Sequence, residues 1–174
     1  MDYLTLTAHP DSPPLAVTSI QAAVWRDGER WNFRYLLDGT RQLILPDPAE
    51  PTRADQLWQT TCFEAFMNIG GQAYLEYNFS PSGKWAAYAF DRPRRGMRNG
   101  DEDVEVWLEG GEDWIAVEAA VSSRPRPGSP LGLTAVIEEE GGHKSYWALA
   151  HPAKEHSAPP DFHDPSCFIA CLPE

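Results

Sequence analysis

Two alternating segments of the sequence carry carboxyl and amide side chains among apolar residues. Glu64 lies within residues 62–68, and Glu76 and Asn78 lie within residues 74–80. Because side chains alternate across a β-strand, Glu76 and Asn78 share one face of their strand. If the two strands are neighbours, all three polar groups share one surface of the sheet. Such groups beside flat aromatic rings suit a sugar, whose hydroxyls need hydrogen-bond partners and whose C–H faces lie on rings.

None of the compact signatures of catalysis occurs in the sequence. It has no Gly-x-Ser-x-Gly, no His-Glu-x-x-His, no phosphate-binding Gly-x-x-x-x-Gly-Lys and no Gly-x-Gly-x-x-Gly. Glu64, Glu76 and Glu118 each interrupt an apolar run, so catalysis by paired acids is conceivable. A hydrogen-bonded structural role is commoner for such carboxylates. We therefore expect a protein that is not an enzyme, with an enzyme that uses Glu64, Glu76 or the histidine-containing loop as an alternative.

Three histidines near the C-terminus are candidate metal ligands, namely His151, His156 and His163. Other candidate ligands lie close by in sequence: Asp161, Asp164 and Cys167. Histidine spacings of five and seven residues across a proline-rich loop match no compact zinc motif. Met67 or Met97 could join a histidine at a haem iron, but no attachment motif is present, and no motif indicates calcium. We expect no cofactor, with a haem or redox-cofactor-binding domain as the alternative function.

The charge balance bears on the class of partner. The 174 residues contain 14 Lys and Arg against 26 Asp and Glu, which gives a net charge of −12. Nucleic acids and anionic membranes are therefore not expected as partners, because binding them requires clustered cations. A neutral or cationic small ligand suits this composition better. The sequence shows no secretion signal and no apolar run of about 18 residues, and its three cysteines are too few for a disulfide scaffold, so we expect a cytoplasmic location.

Short alternating runs bounded by turn residues recur along the chain, and helical periodicity is hard to find. The predicted strands are 19–25, 31–37, 62–69, 74–80, 84–90, 104–108, 114–121, 133–138, 145–150 and 167–172. Turn sequences such as Asp27-Gly28, Gly70-Gly71 and Gly141-Gly142 separate them. Strands at this spacing predict an all-β protein. We expect one domain over residues 1–174, an antiparallel β-sandwich of jelly-roll or immunoglobulin-like form.

Residues 91–103 form one of three long predicted connections, beside 46–56 and 150–165. Four arginines fall within seven positions of it: Arg92, Arg94, Arg95 and Arg98. An acid-rich run follows at residues 101–118. The arginines are therefore expected either to pair with neighbouring acids on a solvated loop, or to present a guanidinium to a ligand.

Four segments together resemble a known family. Residues 57–66, LWQTTCFEAF, are similar to the Trp-then-Glu-x-Phe strand of family 9 carbohydrate-binding modules and of the wider DOMON superfamily of ligand-binding β-sandwiches. Residues 73–83 resemble the ligand-contacting strand of that family, and residues 114–121 resemble its Val-Glu-Ala-Ala strand. The aromatic residues at 146–147 and 162–168 resemble its closing pattern. The resemblance runs in the same order over residues 55–172.

The resemblance implies a sugar held by an aromatic clamp. Trp58 would form one side of this clamp and Phe162 the other, where sugar-binding members have a second Trp. Glu64 and Asn78 match positions that hydrogen-bond the sugar. The remaining tryptophans lie in alternating strands and are expected to pack in the core or at sheet edges.

Two positions depart from the family pattern. Glu76 stands where sugar-binding members place an Arg, and the prolines at 159–160 occupy a loop that elsewhere offers Asn. The arginine-rich loop, represented by Arg94, is our candidate to replace the missing Arg. An interaction protein whose aromatic loops bind another chain remains a further alternative.

Overall fold

The computed structural model describes residues 2–152 and 160–174. These residues form twelve strands and four short 3₁₀ helices, with no α-helix among them. The strands are β1 Leu4–Ala8, β2 Ser19–Asp27, β3 Arg30–Asp38, β4 Cys62–Gly70, β5 Ala73–Phe79, β6 Trp85–Phe90, β7 Arg98–Asn99, β8 Val104–Gly110, β9 Trp114–Ser122, β10 Pro130–Glu139, β11 His143–Ala148 and β12 Ala170–Cys171. The 3₁₀ helices are Thr40–Gln42, Leu57–Gln59, Glu140–Gly142 and Pro165–Cys167. Within the described part of the chain, no helix has the length and apolar character that crossing a membrane requires.

The predicted all-β antiparallel class is confirmed, and each of the ten predicted runs overlaps a strand. β1 and β7 were not predicted. The last predicted strand, 167–172, is largely wrong, since only Ala170–Cys171 is extended and paired. Pro165 stands at the start of a 3₁₀ helix there, and the Asp164 carboxylate accepts the Ser166 N–H, so the chain turns before it can extend.

The strands form one continuous curled sheet in the order β7-β6-β5-β4-β10-β11-β1-β2-β3-β9-β8, with β12 paired to β10. Every pairing between these strands is antiparallel. β1 joins the two halves because its first residues pair with β2 and its last residues pair with β11. A strand that changes partners in this way makes a corner in the sheet.

The concave side of the sheet holds the main core. Phe33 and Tyr35 of β3 meet Phe79 and Phe63 on the opposite half, with ring centroids 5.4 Å and 5.0 Å apart. The Tyr35 hydroxyl donates to the Glu64 carbonyl oxygen at 2.7 Å, so its polar end is satisfied where the ring is buried. These contacts hold β3 against β4 and β5 and fix which face of β4 and β5 is turned outward.

A second apolar cluster, called here the outer cluster, covers part of the convex face of β4, β5 and β6. Its buried members are Phe66, Tyr74, Ala86, Tyr88, Phe90, Val136, Ala148, Phe162, Cys167 and Phe168. Phe168 stacks on Phe66 at 5.7 Å and lies directly over Gly132, where a Cβ would come within 2.6 Å of its ring. The C-terminal segment therefore packs on the face that carries the polar residues of β4 and β5, and β10 needs glycine at this point.

A buried carboxylate attaches the segment before β2 to the end of β10. Glu139 is fully buried and accepts the backbone N–H groups of Leu15, Ala16 and Val17 at 2.7, 2.6 and 3.0 Å. A carboxyl group has two oxygens, and each can accept more than one hydrogen bond. This one side chain therefore satisfies three main-chain donors of a segment outside the sheet.

Candidate functional site

The polar residues of β4 and β5 share one face of the sheet, as alternation predicts. β4 and β5 are neighbours, with Glu64 directly opposite Asn78 and Phe66 opposite Glu76. Phe63 and Phe79, one position away, point into the main core. Glu64, Glu76 and Asn78 are only 4%, 6% and 0% exposed, because the outer cluster and the loops around it enclose them. The polar face that β4 and β5 share is therefore largely enclosed.

A cavity of about 310 Å³ opens over this face. It is lined by Trp58, Glu64, Glu76, Arg94, Val136, Tyr146, Pro160, Phe162 and His163. Five of the six residues predicted for the site thus converge on one cavity; the sixth, Asn78, lies beneath its floor. The Asn78 amide donates to Glu76 Oε1 at 2.8 Å, while its own oxygen, Oδ1, is buried and has no hydrogen-bond partner among the described residues.

The two rings of the predicted clamp have different surroundings. Trp58 lies in the 3₁₀ helix Leu57–Gln59, which follows Gln56, a residue with left-handed backbone, and ends two residues before β4. Half of Trp58 is exposed, so its ring is available for stacking. Phe162 is 8% exposed and packs on Tyr146 with ring centroids 6.3 Å apart. Phe162 therefore contributes more to the outer cluster than to the open part of the cavity.

Glu64 and Glu76 are two carboxyl groups in one poorly solvated space. Burial, followed by the charge of Glu76, raises the pKa of Glu64 to about 8, although a hydrogen bond from the Thr134 hydroxyl opposes the rise. Burial also raises the pKa of Glu76, against the effects of Asn78 and Arg94. A carboxyl group with these surroundings keeps its proton more readily than one in water. At neutral pH Glu64 is therefore mostly protonated and can donate a hydrogen bond.

His163 lies beside the carboxyl pair. Its Nδ1 is 2.6 Å from the Tyr74 hydroxyl oxygen, and its Nε2 is 3.8 Å from Glu76 Oε2. The Tyr74 oxygen accepts the backbone N–H of Arg94, so its own proton is available to Nδ1. Burial, followed by the charge of Arg94, lowers the pKa of His163 to about 4. The imidazole is therefore neutral at physiological pH and adds no positive charge to the cavity.

This assignment for His163 can be measured directly. We expect its ring carbons and protons to titrate with a midpoint near pH 4 in an NMR titration, instead of near 6.5 as for a histidine in water. A His163 midpoint at or above pH 6.5 would show that the neighbouring carboxyl pair, and not burial, determines the pKa of this histidine.

Arg94 supplies the cationic part of the cavity wall. Its backbone φ is +56°, in the left-handed region, and its guanidinium forms a 2.9 Å ion pair with Asp161. The neighbouring Arg98 pairs with Asp91 at 2.7 Å. The expectation that the arginines of this loop pair with neighbouring acids is confirmed for Arg94 and Arg98. Arg94 also lines the cavity, and the expectation that it presents its guanidinium to a ligand stays a prediction. The Arg94 side chain is 59% exposed, which places it at the mouth.

A second cavity of about 560 Å³ adjoins the first. It shares Trp58, Glu76, Arg94 and His163 with the first cavity. Asp55 and Tyr88 form part of its far wall, where the Tyr88 hydroxyl donates to Asp55 Oδ1 at 2.6 Å. Trp58 therefore lines both cavities.

The residues considered for metal or haem binding are dispersed. His151 packs edge-on against His9, with ring centroids 5.0 Å apart, and His163 faces the cavity. Met67 is fully buried in the main core, whereas Met97 is exposed. His156 and Pro159 lie outside the described residues. Residues 2–152 and 160–174 contain no cluster of three or more His, Cys, Asp or Glu side chains arranged to hold a metal ion.

Four residues that line the cavity were not predicted as ligand contacts: Val136, Tyr146, Pro160 and His163. The sequence pattern indicates Tyr146 only as part of a motif, and His163 only as a candidate metal ligand. Tyr146 lies opposite Val136 on β10, and Thr134, two residues earlier on β10, lies opposite Glu64. Alternation around the buried Trp147 would have put Tyr146 on the outer face. Only the strand order β4-β10-β11, which joins distant segments, brings that face to the cavity.

Comparison with known proteins gives one informative structural likeness. The sequence matches no family model, and no curated protein is significantly similar to it. The fold is similar to a crystal structure, at 2.70 Å resolution, of a protein from Bacteroides uniformis ATCC 8492 that is described as a putative carbohydrate-binding protein. The TM-score is 0.64 with 13% sequence identity, over 95% of this chain and 83% of the other. At this identity the likeness shows a shared β-rich fold.

Proposed function

We propose that this chain is a non-catalytic module that binds a small ligand, a carbohydrate, in the cavity over β4 and β5. The convergence of an exposed indole, Trp58, with the polar groups of Glu64, Glu76 and Arg94 carries the proposal. Sugar sites combine a flat ring with hydrogen-bonding side chains in this way. A protonated Glu64 donates to a sugar hydroxyl, while Glu76 and Arg94 offer an acceptor and donors.

Two further observations support the proposal. The similar fold belongs to a protein described as a putative carbohydrate-binding protein. The motif order along residues 55–172 resembles family 9 carbohydrate-binding modules and the DOMON superfamily. We accordingly propose a single domain whose curled sheet is a β-sandwich of that type. Fold likeness alone does not assign a function, so the site residues must be tested directly.

The test is calorimetric titration of the protein with a panel of mono- and disaccharides, for the parent chain and two variants. Trp58→Ala removes the exposed ring of the cavity. Trp107→Ala is the matched control, because Trp107 is also 50% exposed but lies on β8 at the other end of the sheet. We expect Trp58→Ala to weaken sugar affinity about tenfold or more, equivalent to about 1.4 kcal/mol, and Trp107→Ala to leave it unchanged.

Two outcomes would contradict the proposal. Equal losses of sugar affinity in both tryptophan variants would show that Trp58 does not contact the sugar. A parent protein that binds none of the sugars would remove the carbohydrate function itself. Circular dichroism spectra of the variants establish that each has kept its strands.

A further inference from the structure

The cavity holds more acidic than basic groups. Glu64 and Glu76 come from adjacent strands, line the same cavity, and are each more than nine-tenths buried. Among the described residues that line it, Arg94 is the only one with a permanent positive charge. That guanidinium is at the mouth and is already paired with Asp161. Since His163 is neutral, the inner part of the cavity, as far as the structure describes it, contains two acids and no base to match them.

Hydrogen bonding leaves part of each carboxyl group available. Glu76 Oε1 accepts from Asn78, and Glu64 Oε2 accepts from Thr134 at 2.8 Å. Among the described residues, no donor hydrogen-bonds to Glu64 Oε1, and the nearest approach to Glu76 Oε2 is His163 Nε2 at 3.8 Å, beyond a hydrogen bond. Asn78 Oδ1 also lacks a partner among the described residues, but Asn78 does not line the cavity. In their carboxylate forms, Glu64 Oε1 and Glu76 Oε2 are therefore two acceptors without a donor within the described chain, and both residues line the cavity, where a ligand can reach them.

We propose that the ligand carries a cationic amino group that lies between Glu64 and Glu76, and that the sugar is therefore an amino sugar. This inference rests on the proposed carbohydrate function and specifies its ligand. An ammonium group has three N–H donors and no acceptor, so it complements a set of acceptors that a single hydroxyl cannot satisfy. Its charge also compensates for the carboxylates, which are costly to bury unpaired.

Proton release should accompany binding of such a ligand. Among the described residues, Arg94, paired with Asp161 at the mouth, is the charged group that lines the cavity together with the pair. The neutral His163, hydrogen-bonded to Tyr74, and Tyr146 are the polar side chains beside them. An ammonium placed next to Glu64 favours its carboxylate form, so the proton leaves when the ligand binds. With a pKa of about 8 in the empty protein, Glu64 gives up, when the ligand binds, the proton that it holds at pH 7. Affinity for the cation should then fall about tenfold for each pH unit between 7 and 6.

The experiment compares glucosamine, glucose and N-acetylglucosamine by calorimetry at pH 7, in two buffers with different ionisation enthalpies. Cyclohexylamine and cyclohexanol are added as amine and alcohol without a sugar. We expect glucosamine to bind at least tenfold more tightly than the two neutral sugars, with proton release for glucosamine alone among the sugars. Equal binding of all three sugars, without proton release, would overturn the amino-group inference and leave the carbohydrate function standing.

The other results separate the two proposals. Binding of cyclohexylamine but of no sugar would support the ammonium site and remove the carbohydrate function. Binding of none of the five compounds would remove both. Glu76→Gln keeps the size of the side chain and removes its negative charge, so we expect it to reduce the affinity for glucosamine about tenfold more than the affinity for glucose. Glu112→Gln, at a side chain that is 94% exposed, is the matched control. A glucosamine affinity unaffected by Glu76→Gln would contradict the inference.

Discussion

Replacing Glu64 by glutamine is expected to stabilise the unliganded protein at pH 8 and to change its stability little at pH 5. The pKa of Glu64 is raised from 4.5 in the unfolded chain to about 8 in the folded one. The folded state therefore holds a proton that the unfolded state has lost, and the stability that this provides is complete below about pH 4.5 and is lost as the pH rises through 8. Glutamine stays neutral and has no such loss.

Urea unfolding of the parent and of Glu64→Gln at pH 5, 7 and 8 measures this effect. A tenfold difference in proton affinity between the folded and unfolded chains corresponds to about 1.4 kcal/mol, so we expect the variant to exceed the parent by about 2–4 kcal/mol in the free energy of unfolding at pH 8. Glu112→Gln should follow the parent at every pH. If the free energy of unfolding depends on pH in the same way for the parent and Glu64→Gln, the pKa of Glu64 is not raised by folding. Glu64 could then not supply the proton that we expect to be released on ligand binding.

Replacing Glu139 by alanine is expected to lower the free energy of unfolding by about 3–5 kcal/mol. The change leaves the N–H groups of Leu15, Ala16 and Val17 without their acceptor. The Val17 N–H is buried and the other two are partly buried. An unsatisfied buried donor costs about 1–3 kcal/mol, and part of that is recovered if the segment moves into water. Glu139→Gln retains one acceptor oxygen and should lose less than the alanine variant.

Glu140→Ala is the matched control for Glu139, because this neighbouring side chain is exposed. We expect a change within about 0.5 kcal/mol for Glu140→Ala, measured by the same urea titration at pH 7. The cavity over β4 and β5 does not contain Glu139, so ligand affinity should be the same in all three variants. If Glu139→Ala is no less stable than Glu140→Ala, water satisfies the three donors, and the segment before β2 is held by other contacts.

Alternation predicted most of what positions the site. The apolar–polar pattern of residues 62–68 and 74–80 requires only local information, and it placed Glu64, Glu76 and Asn78 on one face. The structure confirms that β4 and β5 pair with Glu64 opposite Asn78. A side-chain period of two makes such a face assignment reliable when neighbouring positions are clearly apolar.

Other features of the site depend on contacts between distant segments. Phe162 was predicted as a clamp ring, yet its partner Tyr146 and the stacking of Phe168 on Phe66 bury that segment in the outer cluster. Burial, in turn, produces the altered pKa values of Glu64 and His163. The sequence pattern does not reveal which segment covers a half-polar face, so these properties could not be predicted from it.

The corner strand β1 has a consequence for the order in which the protein forms during synthesis. Thr7 of β1 lies beside Ala148 of β11, 141 residues later in the chain. The ribosome makes β1 first, but one side of this strand stays unpaired until β11 has emerged. Phe162 and His163, which complete the cavity, emerge later still. A ligand therefore cannot assist the early steps of folding on the ribosome. It can stabilise only a chain in which β1 has already paired with β11.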